Sequence, residues 1–191
     1  MLHDAEGREL TRYARMVIGE ALGGAAARRP EGEYADRPAA SFVTLHRDGQ
    51  LHGCIGSIEA RQALADEVAS AAVGAALRDP RAGYLALADV GDLEVEVSVL
   101  SALERVPARN AREAVARIQP GIDGVVLCYG RRRATFLPQV WRSLPDPGDF
   151  LAQLRLKAGL PRDFWADTIE LYRYAVQYWI DPPQARVTHT S

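Results

Sequence analysis

A thiol between two glycines, Gly53-Cys54-Ile55-Gly56, is the part of this chain best suited to chemistry. Cys54 acts as a nucleophile if a nearby cation, imidazole or helix N-terminus favours its thiolate. His52, two residues earlier, is the candidate partner. Along a strand the two lie roughly 6.6 Å apart, so contact needs a bend at Gly53. The competing reading makes Cys54 a small buried hydrophobe. Glycine weakens a strand, so a pair of glycines around one cysteine signals a close approach to the backbone, by a ligand or by a neighbouring helix.

Other side chains complete a candidate cleft. Thr44 and Ser98 supply hydroxyls, the backbone at Gly53 and Gly56 makes close contacts, and Arg81 and Arg133 meet an anion. Arg81 follows Asp79-Pro80, which reads most simply as a rigid helix stop with a surface ion pair. Arg131-Arg132-Arg133 sits at a turn, where guanidinium groups either clamp phosphate or carboxylate or stay solvated. An RNA- or nucleotide-binding module built on that tip is one alternative function, and a thiol enzyme using Cys54 is another. His46 and His52 point to opposite sides of their hairpin, so no metal site is expected. Phosphate-loop, dinucleotide, nucleophile-elbow and zinc-protease motifs are absent, and the residues name no cofactor.

These residues are positioned by elements legible in the chain. Leu10, Tyr13, Ala14, Val17, Ile18, Ala21 and Leu22 recur at helical spacing, with Asp4 as a cap. Residues 28–38 read as a surface loop. Asp48-Gly49 marks a two-residue hairpin turn, and simple pairing about it sets Val43 opposite Cys54 and Leu45 opposite His52. His52 and Cys54 then share a face, unless a bulge breaks the register. Residues 62–78 form a helix with an alanine face suited to lying on a sheet. Leu93, Val95, Val97 and Val99 alternate with Glu94, Glu96 and Ser98, so the second set forms a wet outer face. A short helix over 112–118, a second hairpin over 125–137, a helix over 149–158 and one long strand over 170–180 follow. Tyr172, Tyr174, Val176, Tyr178 and Ile180 share one face of that strand. Strands joined by hairpins with helices between them argue for an α+β fold with a mainly antiparallel sheet. One domain is expected, with a smaller lobe around 60–120.

The 191 residues suffice for a full core. Lys and Arg number 23 against 25 Asp and Glu, a balance of -2 without a global pull on nucleic acid or anionic membrane. Two cysteines, a polar acidic N-terminus and the lack of a long apolar run point to the reducing cytoplasm.

The chain resembles the AMMECR-type domain family, whose bacterial and archaeal members are called AmmeMemoRadiSam system protein A. The resemblance covers about residues 10–180. It rests on Leu51-His52-Gly53-Cys54-Ile55-Gly56, where the family has arginine in place of His52, on Phe42-Val43-Thr44-Leu45, on Asp79-Pro80-Arg81, on Glu96-Val97-Ser98-Val99-Leu100 and on Phe136-Leu137-Pro138-Gln139-Val140. It implies an α+β fold with a smaller lobe and a cleft near the Cys54 strand. It also implies a Memo-like protein and a radical S-adenosylmethionine enzyme as partners. The resulting expectation is a cytoplasmic accessory protein that binds a small ligand or partner segment in that cleft, within a modification pathway.

Overall fold

The computed structural model describes residues 2–184. Two compact units emerge among the described residues, 2–100 with 177–184, and 101–176. The lobe expected around 60–120 meets the second unit only over 101–120. The fold is α+β, with two four-stranded, largely antiparallel sheets.

In the first unit the strands run in the order β2-β1-β3-β8, with β1 at Ser41–Arg47, β2 at Gln50–Gly56, β3 at Leu93–Leu100 and β8 at Val176–Asp181. Helices α1 (Asp4–Ala21) and α3 (Leu64–Leu77) pack together on one face of this sheet. Their apolar sides, with Val43, Leu45, Val95 and Val97, form the core. The N-cap of α1 is His3 rather than Asp4, and its N–H donates to Glu6 Oε2 at 2.7 Å. Inside the loop expected over 28–38, Glu33–Asp36 forms a short helix, α2, which buries Tyr34 and Ala35.

Asp48 (φ 52°) and Gly49 (φ 74°) have the two positive φ values of a type I′ turn. The hairpin it closes carries a bulge. Leu45 pairs with Gly53 and His46 with Leu51, so His52 is the extra residue. Beyond the bulge Thr44, not Val43, faces Cys54, and Val43 faces Ile55.

The second unit has the order β4-β7-β5-β6: β4 at Glu104–Val106, β5 at Gly124–Tyr129, β6 at Arg132–Phe136 and β7 at Glu170–Tyr174. Helices α4 (Ala111–Val115) and α5 (Pro147–Lys157) supply Ala114, Phe150, Leu151 and Leu154 to its core. The long strand expected over 170–180 is two strands in two sheets, broken at Ala175. The break is held by Ser101, whose N–H donates to Ala175 O at 2.9 Å and whose Oγ accepts from Ala175 N at 3.0 Å.

Candidate functional site

Cys54 lies on β2, at one edge of the first sheet. An edge strand leaves every second N–H without a ladder partner. The N–H of Cys54 instead donates to Asp79 Oδ2 at 2.9 Å. Asp79 stands just beyond the C-terminus of α3, where Pro80 prevents the helix from continuing. Its side chain is buried, so the surface ion pair expected at Asp79-Pro80-Arg81 is in fact anchored inside the fold. Arg81 Nε donates to Asp79 Oδ1 at 3.0 Å and Arg81 Nη2 to Oδ2 at 2.7 Å, while the Arg81 N–H also reaches Oδ1. This bidentate clamp fixes the guanidinium while leaving it largely exposed.

The Arg81 guanidinium, then the Cys54 N–H and the Arg81 N–H, hold the Asp79 carboxyl well below the ordinary carboxylate range. A carboxyl whose pKa is depressed by folding adds stability above its unfolded value, near 3.9, and loses it as the pH falls toward the folded value. Urea midpoints of wild type and Asp79→Asn are therefore expected to differ by a constant amount between about pH 7 and 5, and to converge as the pH falls below about 4. A gap that stays constant below about pH 4 would contradict this account of the carboxylate.

The bulge decides which side chains accompany Cys54. His52 and Gly53 both turn toward α3, with His52 Nε2 at 3.2 Å from Ala76 O. His52 and Cys54 therefore do not share the face expected from the simple register, and the candidate thiol–imidazole pair is not formed. The Cys54 sulfur instead meets Thr44, whose Oγ1 donates to Sγ at 3.3 Å. Thr44 is also in register with Glu96 of β3. A polar row thus crosses three strands, Cys54–Thr44–Glu96, and Ser98 Oγ extends it by donating to Glu96 Oε1 at 3.1 Å. Ser98 is buried and Glu96 half-buried, so this face is less wet than the alternation predicts. His46 lies on the same face, with Nδ1 3.5 Å from Glu94 Oε1. It borders a recess of about 500 Å³ together with Asp48, Asp92 and Glu94.

The two glycines serve the protein's own packing. A Cβ at Gly53 would stand 2.1 Å from Ala75 O of α3, and one at Gly56 would stand 2.2 Å from Ser41 O of β1. Neither leaves the space of its missing side chain to a ligand. Arg133 belongs to the second unit, where it pairs with Cys128 on the β5–β6 ladder. Among the described residues no group of three His, Cys, Asp or Glu could hold a metal ion, and no helix is long and apolar enough to cross a membrane. From the sequence, Asp79 reads as half of a surface ion pair and Glu96 as part of a wet outer face, and neither stands among the candidate site residues. The one signal for Asp79 was its place before proline at a helix end. The signal for Glu96 was its alternation with buried valines.

Known proteins share this architecture. Protein MJ0810 of Methanocaldococcus jannaschii is 36% identical over 181 residues, covering 90% of this chain and 88% of that protein. A protein of Methanothermobacter thermautotrophicus is also 36% identical, covering 90% and 92%. The crystal structure of uncharacterized protein PH0010 from Pyrococcus horikoshii superposes with a TM-score of 0.81 at 30% identity, over 95% of each chain. The AMMECR1 family model matches residues 11–179, and with relatives this similar over nearly the whole chain, the protein belongs to the AMMECR1 family.

Proposed function

We propose that this protein binds a small polar ligand or an extended partner segment on the face of its first sheet that α1 and α3 leave uncovered. One observation carries the reading: Cys54, Thr44 and Glu96 stand in register across three adjacent strands, continued by Ser98, with a fixed guanidinium at the strand edge. Arg81 offers its remaining N–H groups to a carboxylate or phosphate. Glu96 accepts from an amine or hydroxyl. The ligand therefore carries both an anionic group and a donor. Cys54 contributes a contact surface rather than a nucleophile, because its sulfur is partnered by a hydroxyl and the nearby imidazole faces the other way.

The free thiol of Cys54 supports a reducing, cytoplasmic setting. The family resemblance alone supports an accessory role beside a Memo-like protein and a radical S-adenosylmethionine enzyme.

A thermal-shift screen of amino acids, nucleotides and short peptides tests the reading. A compound at about 100 times its Kd adds about 2.7 kcal/mol, or roughly 5–10 °C in a chain of this size. The shift is expected to fall by more than half in Thr44→Val and in Glu96→Gln. A shift that survives both substitutions places the ligand elsewhere, and a screen without any stabilising compound rejects the reading.

A further inference from the structure

The charges of this near-neutral chain are unevenly divided. Residues 101–176 contain twelve Lys and Arg against eight Asp and Glu, a net +4, while the rest of the chain has eleven against seventeen, a net -6. A balance taken over the whole chain hides this division. Within the second unit, part of the positive charge gathers where aromatic rings reach the surface. Tyr129 ends β5 beside the turn that carries Arg131, and its ladder partner is Arg132. Its ring meets Phe164 edge-on, with centroids 5.0 Å apart. Next to Phe164, the Trp165 indole N–H donates to Arg109 O at 2.8 Å. All three rings remain partly accessible. The guanidinium of Arg132 is tied to Gly159 O, which orients it. Among the described residues, Arg109 and Arg131 have exposed side chains without a carboxylate partner.

We propose that this end of the second unit binds a single-stranded polynucleotide, with phosphates on Arg109, Arg131 and Arg132 and bases against Tyr129, Phe164 and Trp165. Guanidinium groups supply sequence-independent attraction to phosphate, and half-exposed rings supply stacking to any base. The combination distinguishes single strands from duplexes, whose bases are already stacked, and from polyanions without rings. The acidic residues nearest in sequence are Glu113, Asp163 and Asp167; they are included in the net +4.

The test uses the full chain and a fluorescently labelled oligouridylate of about 15 nucleotides, read by anisotropy. Three phosphate contacts give a salt slope near -2, so a rise from about 50 to 200 mM salt weakens binding about 20-fold. The double substitution Arg109→Glu with Arg131→Glu is expected to flatten the slope to about -0.7 and to weaken low-salt binding more than tenfold. Trp165→Leu is expected to cost about tenfold. Arg131→Glu alone lies at a turn and keeps the test decisive should the double variant melt early. The proposal is overturned if wild type gives no anisotropy change at low salt, or if the arginine variants bind as wild type does. Inorganic polyphosphate competing as well as oligouridylate, with Trp165→Leu indifferent, marks a general polyanion site and overturns the nucleic-acid assignment.

Discussion

Gly53→Ala is expected to destabilise this protein by ~3 kcal/mol or more, lowering Tm by about 10 °C, although it adds one methyl group. The new Cβ would lie 2.1 Å from Ala75 O, 3.0 Å from Ala75 C and 3.1 Å from Asp79 Cβ. Two of these atoms are backbone of α3 and cannot rotate away. Relief requires α3 to lift from β2, which also disturbs the contact between Ile55 and Gly74, the residue before Ala75, and the bond from Cys54 N to Asp79. Gly19 provides a control. It lies in α1, where an added Cβ would meet only Leu87 Cδ1, at 3.9 Å. Gly19→Ala is expected to raise stability by about 0.5–1 kcal/mol, because glycine in a helix carries an entropic penalty without any compensating contact here. Thermal melts of both variants check the pair. If Gly53→Ala melts within about 2 °C of wild type, the helix does not press on the strand as described.

The same contact explains how far the site was legible in the sequence. Spacing alone located the thiol, its flanking glycines, the turn at Asp48-Gly49 and the alanine-faced helix. Which of the two occupants met the glycines lay beyond local pattern, since a ligand and a helix leave the same gap in a strand. The bulge at His52 was equally hidden. It arises from competition between hairpin pairing and the fit of Gly53 under Ala75, and only the first leaves a trace in nearby residues. One extra residue reversed the partners of Cys54, replacing an imidazole with Thr44 and bringing His46 and Glu96 onto its face. The division at Ala175 was hidden for a related reason. Side chains alternate with period two in both sheets, so Tyr172 to Ile180 reads as one strand although the chain changes sheets midway. Only the pairing with Ser101, 74 residues away, reveals the change. Asp79 illustrates the limit for charge. A carboxylate beside arginine looks like a surface pair until the fold brings the N–H of a distant strand edge to it.

Arg15 shows the same limit on a larger energetic scale, and Arg15→Lys is expected to cost ~3–5 kcal/mol, again about 10 °C in Tm. In the sequence it stands among other charged residues of α1, yet it is buried. All five of its N–H donors are used. Nε donates to Asp181 Oδ2 at 2.6 Å, Nη1 to Val90 O at 2.8 Å and Leu93 O at 2.9 Å, and Nη2 to Asp181 O at 3.0 Å and Pro182 O at 2.9 Å. One side chain thereby joins α1 to the start of β3 and to the end of β8. Residues 101–176 separate β8 from its sheet neighbour β3 in the chain, so the pairing of β8 closes a long loop at an entropic cost. Arg15 offsets part of that cost, together with Trp179, whose indole lies where a Cβ at Gly7 would be and donates to Asp4 Oδ1 at 2.9 Å. Lysine keeps the charge but has three donors on a compact head, which cannot satisfy five acceptors spread over a planar fork. At least two of the five acceptors then lose their partners, and two of the five, Val90 O and Leu93 O, are in buried contacts. Hydrogen exchange in Arg15→Lys is expected to quicken first in the amides of β8 and less in those of the β1–β2 hairpin. Uniform loss of protection across the first sheet, or a melt unchanged from wild type, would remove Arg15 as the clasp of the returning strand.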